Sequence, residues 1–374
     1  MENKKVLLIR SVDVGEFGGA EVYQTKLSEV LRNNGFEPVI VTTSEGLLFD
    51  AKKKGFRVVR APRVKRQNWS GVRNFLFPLY VLEQKKLTKW YRELFKKEKP
   101  AVINVQSKDE WIAATRAAKG LGIRVLWTDH ADFRSWVMVN VKVKYKNAIG
   151  KWILKCAKDV YKIMVISEAE KKWFEQNVCK MDNMIVAKNG VVDEFERYKK
   201  VKANPKKFCF VGRLVKEKGI DELLDAFSSV KESEKKAELV LCGGEKGEIK
   251  APGVESLGRI DDVLPILAEC GTFIIPRYNE GMSLALLEAM MMGKTIITTD
   301  IKGMKEIIKD KEDGILVPAK DAEALEKAMI FVLNNPDKAA KMSEKARKKY
   351  EEEYDFSEIF AKRMLPLYNI EKEK

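Results

Sequence analysis

Short continuous apolar runs, each followed by a stretch of helical period, recur along this chain, and few architectures accommodate that pattern. The first run, Val6-Leu-Leu-Ile9, does not alternate with polar residues, as expected of a strand covered on both faces. Ala20, Tyr23, Leu27, Val30 and Leu31 then share one helical face, and Gly35 stands where a helix would stop. Residues 38–42, 101–105, 123–127 and 162–166 are further strand candidates with helical stretches between them. The series restarts after the polar, basic stretch 197–207, which holds Asn204-Pro205 and is the linker candidate. Strand candidates 207–211, 238–242, 272–275 and 295–298 follow, and Ile220, Leu223, Leu224, Phe227 and Val230 mark an amphipathic helix after the first of them. Strand–helix alternation implies parallel sheets with helices on both faces. The expected fold class is therefore α/β, with two doubly wound domains at 1–200 and 201–374 facing a central cleft, and a final helix returning to the first domain. Ligands of such sheets bind at the carboxyl ends of the strands.

A length of 374 residues suits two domains of ordinary size. The longest uncharged stretch, residues 74–82, is about half of what a spanning helix needs. The start of the chain has only four apolar residues in a row and no cleavage-like site, so a cytoplasmic protein is expected. The five cysteines are odd in number and widely spaced, and there is one histidine. Reduced thiols and no bound metal are the expectation.

The net charge of +15 is unevenly distributed. Residues 1–200 carry 40 Lys and Arg against 23 Asp and Glu, whereas residues 201–374 carry 30 against 32. The first half is thus expected to meet something anionic. The focus is residues 60–100, where twelve basic residues face three acids. Trp69, Phe75, Phe77, Tyr80, Trp90, Tyr91 and Phe95 are interleaved with them. Three readings stay open: a surface for an anionic membrane, a single-stranded nucleic-acid site, or ordinary helices whose aromatics are core and whose lysines are solvated. A peripheral position on the cytoplasmic membrane face is the partner expectation, with nucleic acid disfavoured.

Three segments carry chemistry. Gly15-Glu-Phe-Gly-Gly-Ala-Glu21 lies between the first strand and its helix. Its adjacent Gly18 and Gly19 expose amides suited to an anionic oxygen, although a plain tight turn reads equally well. Val211-Gly-Arg-Leu-Val-Lys-Glu-Lys-Gly219 places Arg213 and Lys218 on the loop leaving the second half's first strand, a diphosphate clamp built from a fork and a point charge. Asn279-Glu-Gly-Met-Ser-Leu-Ala-Leu-Leu-Glu-Ala-Met290 sets Glu280 before a helix and Glu288 inside it, roughly 12 Å apart at helical rise. The amides of Gly281, Met282, Ser283 and Leu284 sit at that helix's N-terminus. Glu288 interrupts an uncharged run from Gly281 to Gly293, where an unpaired carboxylate is costly.

Taken in order, these motifs resemble the large retaining glycosyltransferase family 4, typified by bacterial mannosyltransferases and glycogen or sucrose synthases. The resemblance runs through Gly18-Gly-Ala-Glu21, Thr128-Asp-His-Ala131, Val165-Ile-Ser-Glu168, Asn189-Gly-Val191, Val211-Gly-Arg-Leu214 with Glu217-Lys-Gly219, the Glu280-x7-Glu288 pair, and Glu306-Ile-Ile308 followed by Asp313-Gly-Ile-Leu-Val317. It implies the GT-B fold of two Rossmann-like domains. It also implies a UDP- or GDP-sugar donor, a hydroxyl acceptor, retention of configuration, and neither metal nor other cofactor; the basic, aromatic segment 60–100 adds the expectation that the acceptor is lipid-linked or membrane-proximal. Gly18 and Gly19 would approach the donor diphosphate, and Arg213 and Lys218 would neutralise it. Glu280 would hold the transferred sugar, Glu288 the ribose, and His130 would lie near the sugar's C6 oxygen. The segment Gly258-Arg259-Ile260 would read the base. Gly281-Met-Ser-Leu284 departs from the Gly-Phe-Pro of many relatives, which puts the sugar pocket in question. The competing classes are an anion- or nucleic-acid-binding protein on the same scaffold and a sugar-nucleotide epimerase.

Overall fold

The computed structural model describes residues 4–11, 19–62, 77–130, 138–140, 143–146, 148–278 and 283–370. They form two compact units, residues 1–188 with 360–374, and residues 189–359.

The first unit is built on a seven-stranded sheet. Its strands are β1 (Lys5–Arg10), β2 (Glu37–Thr42), β3 (Arg57–Arg60), β4 (Val102–Val105), β5 (Arg124–Thr128), β8 (Lys162–Val165) and β9 (Met184–Val186). A hairpin of β6 (Met138–Asn140) and β7 (Val143–Lys146) stands apart from it. The sheet order is β3-β2-β1-β4-β5-β8-β9, and all its pairings are parallel. The Val6-Leu-Leu-Ile9 run is fully buried, which accounts for its lack of alternation. Helices start where the sequence supplies caps: Ser44 Oγ accepts from Leu47 N at 3.2 Å, and Ser167 Oγ from Glu170 N at 3.1 Å. Trp111 and Trp127 stack at 4.5 Å between centroids, and their indole N–H groups donate to Val105 O and Thr115 Oγ1. This buried pair ties the carboxyl end of β5 to the helix Lys108–Ala118.

The end of the chain belongs to this unit. Tyr368 is buried and its hydroxyl accepts from Asn104 Nδ2 at 2.6 Å, while Arg124 donates to the carbonyls of Leu367 and Asn369.

The second unit has a six-stranded parallel sheet in the order β12-β11-β10-β13-β14-β15. Its strands are β10 (Asn204–Val211), β11 (Glu238–Cys242), β12 (Val254–Gly258), β13 (Cys270–Ile275), β14 (Thr295–Thr299) and β15 (Ile315–Val317). Two apolar layers cover its faces, one containing Leu286, Leu287 and Met290, the other Leu223, Phe227 and Leu325.

The boundary lies at 188/189, ahead of the expected 200. Residues 189–200 pack on the second unit: Tyr350 donates to Val191 O at 2.8 Å, and Arg347 bridges Asp193. The linker candidate 197–207 is correspondingly part of that unit, with Asn204 and Pro205 already in β10. Proline is tolerated there because it stands at the start of the strand.

Candidate functional site

Both sheets reverse their strand order at one place, between β1 and β4 in the first unit and between β10 and β13 in the second. Beyond the carboxyl ends at such a switch point the following loops diverge and leave a crevice. The described residues among those singled out in the sequence are distributed over both units, and each is described within its own unit.

In the first unit, the residues following β1 and β4 are bonded together. Gln106 N donates to Ile9 O at 2.8 Å, and Ser11 N to Ser107 Oγ at 2.7 Å. His130 stands just past β5, half-buried, with Nε2 3.2 Å from Gln106 Oε1. The Nε2–H tautomer makes that contact as a donor. The Tyr23 ring meets the imidazole edge-on at 4.5 Å, and burial raises the Tyr23 phenol far above its ordinary range. Beside His130, the buried Asp129 carboxylate lies 3.2 Å from Lys108 Nζ. Gly19 opens the helix Gly19–Asn33, whose first turn is anchored by Glu21 accepting from Arg10 Nε at 2.7 Å. Thus Glu21 of the Gly-Gly-Ala-Glu motif is a structural anchor. Gly18 falls outside the described residues.

In the second unit, Arg213 follows β10 and is exposed, whereas Lys218 ends a short turn, Lys216–Lys218, and is half-buried. Gly219 takes a left-handed conformation, φ +70°, and caps the helix Ile220–Ser233. A Cβ at Gly219 would come within 1.9 Å of Pro276 O, so only glycine lets this turn lie against the end of β13. Burial first, then the charges of Arg277 and Arg213, push the Lys218 ammonium down to about 8, against a smaller upward pull from Glu217. The sequence reading brought Arg213 and Lys218 together but missed Arg277. It is buried beside them, and burial with the Arg213 charge pushes it down to about 10. The available signal was its place two residues past a strand, matching Arg213 after β10.

The helix Leu284–Met291 begins after Ser283, whose backbone is extended and whose side chain makes no capping bond. Leu286, Leu287, Ala289, Met290 and Met291 face the core, while Leu284, Ala285 and Glu288 form the half-exposed side. The anomaly of a carboxylate in an apolar run is resolved: Glu288 lies on the open stripe of a helix otherwise packed into the core. Glu280, Gly281 and Met282 fall outside the described residues. Arg259 and Ile260 follow β12, an edge strand two positions from the switch point, with Arg259 exposed and Ile260 half-buried. Among the described residues, no group of three or more His, Cys, Asp and Glu side chains is arranged to hold a metal ion.

Of the seven aromatics in the basic segment, four take the core positions that one of the three readings gave them. Residues 63–76 lie outside the described residues, and the helix Phe77–Glu98 follows. Tyr80, Tyr91 and Phe95 are buried in the core of the first unit, and Trp90 packs against it. These four aromatics therefore serve packing, because helical periodicity turns them inward. What faces out is Pro78, then Leu79 and Leu82, each about half exposed (50% and 52%), then Lys85, Lys86, Lys89, Lys96 and Lys97, with one exposed acid, Glu93, 3.4 Å from Lys96 Nζ. Among the described residues no helix is long and apolar enough to cross a membrane.

Comparison with known proteins agrees with this geometry. The family profile described as Glycosyltransferase Family 4 matches residues 17–195, and that for Glycosyl transferases group 1 matches residues 192–349. A Haemophilus influenzae protein described as an uncharacterized glycosyltransferase is 23% identical over 350 residues, covering 90% of this chain and 92% of its own. A phosphatidyl-myo-inositol mannosyltransferase of Mycobacterium leprae is 26% identical over 187 residues, 46% of this chain and 50% of its own. An Anabaena protein solved with UDP and glucose superposes with a TM-score of 0.72 at 15% identity, over 99% of this chain and all of that one. The fold is the two-domain α/β GT-B fold of glycosyltransferases. The chain belongs to the group 1 glycosyltransferases of family 4.

Proposed function

We propose that this glycosyltransferase moves a hexosyl-type sugar from a UDP- or GDP-sugar to a hydroxyl acceptor, with retention of configuration and without a metal ion. The observation that carries the reading is the pair of cations at the β10/β13 switch point, where Arg213 and Lys218 stand together beside the start of a helix. As the glycosidic bond breaks, charge accumulates on the departing diphosphate, and fixed cations at that place lower the barrier without reorganisation. Glu288, on the open side of its helix, is assigned to the ribose and Glu280 to the transferred sugar. His130 keeps the sugar-side role that the family pattern gives it. The Anabaena protein's complex with UDP and glucose supports a nucleotide-sugar donor.

The acceptor is proposed to be lipid-linked or membrane-proximal, reached by peripheral docking of the helix Phe77–Glu98 on an anionic cytoplasmic leaflet. Two exposed leucines followed by five exposed lysines fit that role. The name of the Mycobacterium leprae relative, a phosphatidyl-myo-inositol mannosyltransferase, favours the same reading.

The test is a panel of UDP- and GDP-sugars incubated with the enzyme and vesicle-borne glycolipid acceptors in excess EDTA, with the product's anomeric configuration read by NMR. The expected result is transfer from one donor with the anomer unchanged. Inversion, or activity that returns only with an added divalent ion, would overturn the corresponding part of the proposal.

A further inference from the structure

Two backbone contacts set Arg277 against the turn that carries Lys218. On one side, Tyr278 N donates to Glu217 O at 3.1 Å. On the other, Gly219 abuts Pro276 so closely that a Cβ would stand 1.9 Å from the Pro276 carbonyl oxygen. Lys218 lies between Glu217 and Gly219, and Arg277 lies between Pro276 and Tyr278. The main chain itself therefore holds the two cations side by side. Arg277 is pinned further: its N–H donates to Ile275 O at 3.1 Å, and its carbonyl accepts from Thr299 Oγ1 at 2.6 Å. Arg213 leaves β10, the strand hydrogen-bonded to β13, so all three cations stand at the switch point.

The three differ in depth. Arg213 is exposed, Lys218 is half-buried, and Arg277 is only 5% exposed. Like charges gathered this way repel one another in the free protein, and Arg213 weakens the proton affinity of both its neighbours. An anion bearing at least two charges relieves all three repulsions at once. A guanidinium in the driest position presents its charge where an electrostatic contact is worth most.

We propose that Arg277 is a third donor-binding cation, whose guanidinium engages the phosphate bonded to the sugar; this rests on the donor site proposed above. When the bond from the anomeric carbon to the phosphate oxygen breaks, the electron pair stays on that oxygen. The acceptor oxygen bonds to the anomeric carbon, and its proton passes to the departing diphosphate. Arg277 meets the charge that appears on the terminal phosphate, while Arg213 at the rim and Lys218 between them hold the rest of the diphosphate.

The test compares nucleoside diphosphates with monophosphates, which lack the terminal phosphate. UDP, UMP, GDP and GMP are titrated calorimetrically into wild-type protein and into Arg277→Gln, Arg277→Met and Arg277→Lys. Arg277→Gln is expected to weaken the preferred diphosphate by about 10- to 100-fold and to leave the matching monophosphate within about threefold of wild type. Arg277→Met keeps the apolar stem without the charge and should behave alike, so it serves if Arg277→Gln fails to fold. Arg277→Lys should recover part of the loss. Equal weakening of di- and monophosphate, or unchanged diphosphate affinity, overturns the inference. Arg213→Ala and Lys218→Ala run alongside. Diphosphate affinity lost in those two but kept in Arg277→Gln removes the third cation alone. Affinity unchanged in all of them, or a wild-type protein that binds neither UDP nor GDP, removes the donor site with it.

Discussion

Replacing Gly219 by alanine tests the backbone arrangement on which the cationic site depends. Two costs are separable. A left-handed conformation, φ +70° at Gly219, costs a residue with a Cβ about 1–2 kcal/mol. The added methyl would also meet Pro276 O at 1.9 Å and its carbonyl carbon at 2.8 Å, so the turn must move off the end of β13. Overpacking of that kind costs about 1–3 kcal/mol more. Gly247 provides the control, since its φ is +72° with nothing within 4 Å of a Cβ. Urea unfolding of the two variants should show Gly219→Ala losing about 2–5 kcal/mol and Gly247→Ala about 1–2. UDP or GDP affinity should fall only in Gly219→Ala, because that substitution alone displaces Lys218 from Arg277. Equal destabilisation by the two, with nucleotide binding intact in Gly219→Ala, would refute the pinned arrangement.

Lys218 predicts a proton-linked donor affinity. Its ammonium is pushed down to about 8 in the free site, and a bound diphosphate raises it again. Below that pH the proton is already present; above it, binding must take one up, so affinity falls by up to about tenfold per pH unit until the bound-state value is reached. Calorimetry in buffers of different ionisation enthalpy should show the uptake near pH 8.5 and its loss in Lys218→Ala; no uptake in wild type would contradict the assignment. Glu280→Gln is expected to fold normally and lose transfer, and a folded variant with near-wild-type turnover would end that assignment. Co-sedimentation with anionic but not neutral vesicles at low salt is expected, weakened by salt and by changing Leu79 and Leu82 to serine. Equal, negligible binding to both vesicle types would leave the lysine face as solvated surface.

Much of the architecture was legible because both sheets are parallel and covered on both faces, so their central strands are unbroken apolar runs. Val6–Ile9 and residues 239–242 are of that kind. The strands that escaped notice, β3, β6, β7, β9, β12 and β15, lie in outer positions of the sheets or are only three or four residues long, and their patterns are weak. The junction was misplaced because 197–207 reads as polar linker, while Val191 and Asp193 are held by Tyr350 and Arg347 from far along the chain. Such long-range partners leave no local signature. At the site, Arg213 and Lys218 were legible from their loop. Arg277 was not singled out, since its nearness to Lys218 arises from the contact of two segments about 60 residues apart, and only the chain's path from β10 to β13 brings them together. The aromatics of 77–98 show the converse limit: interleaving with lysine in sequence says little about which residues share a helical face.

The most direct test of the account is a crystal structure of the protein with the preferred nucleoside diphosphate. The account predicts the diphosphate at the carboxyl ends of β10 and β13, within about 3 Å of the Arg213 and Lys218 side-chain nitrogens, and the ribose hydroxyls at Glu288. A diphosphate bound away from the β10/β13 switch point, with those cations uninvolved, would contradict it.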